Sequence, residues 1–131
     1  MREEVNIWWK QAKKDFESAE KNYKLKEYYL VAFLCQQAVE KALKALLIKK
    51  LKNPEEFINK HSLIFLGKKC KVPNKFYPFL RDLTRDYIIA RYPGIASLEE
   101  PPYELYDEEK ARKVLKETKL ILEWIKKQLK L

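Results

Sequence analysis

The chain has 131 residues, 47% of them apolar and 13% aromatic, which suits one domain with a filled core. Two glycines, Gly67 and Gly94, exclude glycine-rich phosphate loops and dinucleotide-binding turns, and two isolated cysteines, Cys35 and Cys70, argue against a disulfide scaffold or a Cys/His zinc site. The net charge of +9 is uneven: residues 99–109 hold six acids and no base, leaving 28 bases against 13 acids elsewhere, a surplus of +15.

A surplus of that size favours RNA, nucleotides or acidic partners, and it would let the chain bind nucleic acid nonspecifically. Solvated lysine on helix faces is the competing reading. The charged, helical start has no signal-peptide pattern, and the longest apolar run, residues 28–35, is far short of a bilayer span. A cytoplasmic protein without membrane insertion, metal or cofactor is expected. Lysine and glutamate (23 and 15) far outnumber glutamine and asparagine (4 and 5), a balance found both in hot-environment proteins and in ordinary exposed helices.

Along the chain, Val5, Trp8 and Trp9, Ala12, Phe16, Ala19 and Tyr23 recur at steps of three and four and predict an amphipathic helix with one buried stripe. The next segment, residues 27–51, is apolar on several faces, which makes it either a covered central helix or one that pairs with another chain. The excess predicts the second: Tyr28, Tyr29, Phe33 and Leu47 are the expected interface. Asn53-Pro54 ends this helix.

A short helix follows His61-Ser62, with Ser62 as N-cap and Leu63, Leu66 and Cys70 inside; Gly67 weakens it. From Val72-Pro73-Asn74 a further helix carries Phe76, Leu80, Leu83 and Tyr87 on one stripe and ends near Ala90. Four prolines and glycines make residues 92–106 a long ordered loop. Asp107 caps the last helix, whose stripe is Ala111, Leu115, Thr118, Leu122, Ile125 and Leu129. The expected architecture is all-α, a single domain over residues 1–131: an antiparallel four-helix up-and-down bundle with one additional short helix.

Several residues together resemble the HEPN family of small helical domains. They are the tryptophan and Ala12-Lys13-Lys14-Asp15-Phe16 of the first helix, the run Gln36-Gln37-Ala38-Val39-Glu40-Lys41-Ala42-Leu43-Lys44-Ala45-Leu46, His61-Ser62-Leu63, and residues 87–93, YIIARYP. The resemblance implies a bundle of four or five helices, frequent homodimers, and genes paired with a minimal nucleotidyltransferase. Many relatives are metal-independent ribonucleases whose motif is an arginine and a histidine with four to six residues between them. After Arg91 the corresponding positions are Ala96, Ser97 and Leu98, and the sole histidine is His61, thirty residues upstream. Cleavage through the 2′-hydroxyl needs a proton acceptor and donor tuned near neutrality, which imidazole does best. The expected function is therefore a non-catalytic, homodimeric interaction module that partners a nucleotidyltransferase and binds nucleotide or RNA. The alternative is a toxin-like ribonuclease with a degenerate site using Arg91 with His61 or a tyrosine.

Arg91 is the leading ligand-binding candidate, because its planar fork suits phosphate oxygens and it matches the family's arginine. The competing role is a fork onto Asp86 or Glu104. Gln37, Lys41 and Lys44 form one polar stripe that either faces a nucleotide or is the solvated edge of its helix. Arg85 joins them as a candidate, although Arg81, Asp82, Arg85 and Asp86 also read as a surface ion-pair ladder. His61 is expected as a turn residue and Cys35 as core packing. Tyr103 and Tyr106 lie where some relatives carry a tyrosine that the nucleotidyltransferase modifies.

Overall fold

The structure, a computed structural model, describes residues 2–51, 53–94 and 99–131. Among them there are six α-helices and no strand: α1 (Arg2–Lys24), α2 (Tyr28–Lys50), α3 (Glu55–Ile58), α4 (Leu63–Lys69), α5 (Tyr77–Arg91) and α6 (Glu108–Leu129). Short 3₁₀ turns precede α5 (Asn74–Phe76) and α6 (Pro102–Leu105). None of the described helices is long and apolar enough to cross a membrane.

The predicted stripes explain the long helices. Val5, Trp9, Ala12 and Ala19 of α1 are buried, as are Ala111, Val114, Thr118, Ile121, Leu122, Ile125 and Leu129 of α6. The caps form as read from the sequence: the Ser62 hydroxyl accepts from the Phe65 N–H at 3.2 Å and the Asp107 carboxylate from the Lys110 N–H at 2.8 Å. Lys26, in the left-handed region at φ 64°, turns the chain from α1 into α2. The one-turn helix α3 was not foreseen.

Contacts along the helices fix their directions. Tyr23 meets Tyr28, Asp15 meets Lys41 and Trp8 meets Lys44, so α1 and α2 are antiparallel. Phe33 stacks on Tyr87 while Cys70, just before α5, donates to the Leu43 carbonyl at 3.4 Å, so α5 runs back along α2. Lys49 donates to the Leu129 carbonyl at 2.5 Å, which places the ends of α2 and α6 together. The four long helices thus alternate in direction, with α2 in the middle: α1, α3, α4, α5, α6 and the second 3₁₀ turn all touch it.

That central position corrects the expectation that α2 needs a partner chain to cover it. Fourteen of its 23 residues are buried by the chain itself. Leu47, expected at an interface, is only 1% exposed and offers nothing to a second protein. Tyr28, Tyr29 and Phe33 are half-buried, their rings packed on Tyr23, Tyr103 and Tyr87. Gly67 has a packing role as well: a Cβ there would lie 3.0 Å from Leu80 Cδ1, so its absence lets α4 press against α5.

Candidate functional site

Two groupings of polar and aromatic side chains lie along α2. The first is centred on Glu40. Its carboxylate accepts from Lys44 Nζ at 2.9 Å and from Gln36 Nε2 at 3.1 Å, and it pairs with His61 Nδ1 at 3.1 Å; Gln37 in turn donates to Gln36 at 2.7 Å. Burial alone would raise the Glu40 carboxyl, but the bonds from Lys44, His61 and Gln36 outweigh it and hold the group below the usual carboxylate range.

This hub corrects the reading of the stripe. The Lys44 side chain is 3% exposed, bonded to Glu40 and laid against the Trp8 ring, so its charge is satisfied inside the protein. Lys41 reaches α1, where Asp15 accepts from it at 2.5 Å and also from Gln11 at 2.9 Å. Neither lysine is free to clamp a phosphate. The residue that sequence reasoning missed is Glu40, and its signal was an acid placed four residues from both Gln36 and Lys44 on an otherwise apolar helix.

The second grouping surrounds the end of α5. The Phe33 and Tyr87 rings stack at 5.5 Å with 12° between their planes. The Arg91 guanidinium lies 5.1 Å from the Tyr87 ring and 5.3 Å from the Tyr92 ring, and donates to the Tyr87 hydroxyl. Tyr103 of the second 3₁₀ turn meets Tyr29 edge-on at 6.4 Å. Tyr29, Phe33 and Gln37 are spaced by four on α2 and so form one row beside this patch. Arg91, Tyr92 and Tyr103 are exposed. A cation spread over aromatic faces beside further open rings can hold a phosphate and stack a base. The positions that would carry the ribonuclease histidine, Ala96, Ser97 and Leu98, lie outside the described residues.

The carboxylates proposed for Arg91 are otherwise placed. Asp86 is buried, not part of a surface ladder: it pairs with Lys110 at 3.1 Å, and the Tyr106 hydroxyl donates to its carbonyl at 3.2 Å. Burial and the Asp86 carboxylate push the Tyr106 phenol up. Glu104 accepts from the neighbouring Tyr103 hydroxyl. Arg85 pairs with Asp82 at 3.7 Å, as the ion-pair reading expected, and lines a cavity of about 170 Å³ with Asp86 and Lys110. His61 is 72% exposed and is tied to Glu40, two turns along α2 from Phe33, a rise of about 10 Å from the Arg91 patch. Cys35 and Cys70 are buried, and burial pushes both thiols up to about 12. Among the described residues no cluster of His, Cys, Asp and Glu is arranged to hold a metal.

Comparison with known proteins places the fold. The HEPN domain family model matches residues 5–128. TT1696 from Thermus thermophilus has a similar crystal structure, with a TM-score of 0.84 and 26% identity over 95% of this chain and 97% of that one. ST0689, an archaeal HEPN homologue, superposes with a TM-score of 0.76 and 32% identity over 95% of this chain and 96% of its own. No curated protein matches. With the family model spanning nearly the whole chain and the bundle shared with an archaeal homologue, the chain belongs to the HEPN family.

Proposed function

We propose that this protein is a non-catalytic HEPN module that binds a nucleotide or RNA at the Arg91 patch, acts as a homodimer and partners a minimal nucleotidyltransferase. The observation that carries the reading is the exposed Arg91 fork held over Tyr87 and Tyr92, with Phe33 stacked beneath Tyr87. The cation supplies the phosphate contact and the rings supply stacking area that any base can use. His61, the one imidazole, is tied to Glu40 about two helical turns along α2 from Phe33.

Fluorescence anisotropy with a labelled oligoribonucleotide tests it. Wild type binds, and Arg91→Ala weakens binding by about ten- to a hundredfold, or ~1.4–2.8 kcal/mol. Equal affinity for both proteins would remove the assignment. Co-purification with the nucleotidyltransferase of a neighbouring gene tests the partner.

One observation favours the ribonuclease reading. His61 is exposed and oriented through Nδ1 by a carboxylate, the arrangement that prepares an imidazole for proton transfer. If that reading holds, purified protein cleaves RNA and both His61→Ala and Arg91→Ala abolish cleavage. Unchanged cleavage in either variant would count against it.

A further inference from the structure

The outer face of α6 carries a surface that no other described residue covers. Between it and the start of α5 lies a groove of about 380 Å³ floored by Phe76, Leu120 and Trp124 and edged by Lys75, Glu117 and Lys127. Leu120 is 49% exposed at its centre. Among the described residues neither Glu117 nor Lys127 forms an ion pair within the chain.

The groove belongs to a longer pattern. Glu117, Leu120, Trp124 and Lys127 follow one another at steps of three, four and three, the spacing of a helix-pairing seam about 15 Å long. That sequence of steps reads the same in both directions. A two-fold axis at the level of residue 122 therefore maps position 117 onto 127 and 120 onto 124. The chemistry obeys the same symmetry: an antiparallel partner α6 sets Leu120 against Trp124 and Glu117 against Lys127, each contact occurring twice. An isologous interface requires such self-complementarity, with every charge meeting its opposite. A nucleic acid would instead meet the carboxylates of Glu117 and Glu123 on this face.

We propose that a second copy of this chain docks here, α6 against α6, with Leu120 of each protomer entering the groove beside Trp124 of the other. The proposal rests on the dimeric reading above and gives it a surface away from α2 and from the Arg91 patch.

Light scattering coupled to gel filtration tests it. Wild type elutes as a dimer. Glu117→Lys and Lys127→Glu each place like charges across the axis twice and shift the protein to monomer, raising the dissociation constant at least about tenfold. The double variant Glu117→Lys/Lys127→Glu restores the pairs in reversed sense and with them the dimer. Leu120→Asp gives monomer while keeping the wild-type circular dichroism spectrum, since the side chain is on the surface. A monomeric wild type would overturn both this surface and the dimeric reading. A wild-type dimer that survives Leu120→Asp and both single charge reversals would overturn the surface alone. A double variant that stays monomeric would overturn the register.

Discussion

Replacing Glu40 by alanine strands the Lys44 ammonium in a site where its side chain is 3% exposed, with the Trp8 ring 5.8 Å away. Breaking a buried pair by removing one member costs about 3–5 kcal/mol, because the remaining charge keeps its desolvation penalty without compensation. A chain of this length has an unfolding entropy of ~0.28 kcal/mol/K, so the melting temperature falls by about 11–18 °C. Removing both charges separates burial from pairing: Glu40→Leu/Lys44→Met leaves no orphan charge, only the buried Gln36 amide without its acceptor, and is expected about 1–3 kcal/mol below wild type and above Glu40→Ala. Urea and thermal unfolding of the three proteins provide the measurement. A loss below about 1 kcal/mol in Glu40→Ala, or a double variant less stable than the single one, would refute a paired and buried hub.

The same carboxylate shapes the acid limb of stability. Its folded pKa lies below its ordinary value of 4.5, so its contribution is complete above that pH and is lost as pH falls through the depressed folded value; Glu40→Gln should flatten the melting-temperature profile below pH 4.5, and an unchanged slope would contradict the shift. Tyr106→Phe deletes the hydroxyl that donates to the Asp86 carbonyl between α5 and the start of α6, and should cost about 1–2 kcal/mol in urea unfolding. Cys35 and Cys70, with thiols pushed up to about 12, should react with Ellman's reagent at pH 8 only after denaturation. Prompt labelling of the native protein would show that one of them is accessible.

The sequence disclosed α1, α5 and α6 because each keeps a 3.6-residue stripe over four turns or more, and it disclosed the Ser62 and Asp107 caps because those side chains act on N–H groups three residues away. It did not say what covers α2. Periodicity shows how many faces of a helix are apolar; it does not show how many neighbours the fold supplies, and here the chain's own α1, α5 and α6 suffice. Lys44 misled for the same reason: it sits on the side where a free stripe was expected, and only Trp8 and Glu40, brought by packing, turn it into a buried group. Asp86 faces inward because Lys110, 24 residues later, meets it there. The single turn of α3 is too short to leave a periodic signal.

Arg91 was legible from its match to the family, but its aromatic bed was not. Tyr87 and Tyr92 lie close in sequence, whereas Phe33 and Tyr29 arrive from a helix more than fifty residues earlier.

The central claim is that nucleic acid meets this protein at the aromatic patch beside Arg91 and not through diffuse lysine charge. Ultraviolet cross-linking of bound RNA, followed by mass spectrometry of the attached peptides, tests it most directly. The account predicts adducts on the peptides containing Tyr87, Tyr92 or Tyr103, lost in Arg91→Ala at equal protein concentration. Adducts concentrated instead on the lysine-rich segment Lys68–Lys75, and unaffected by Arg91→Ala, would contradict it.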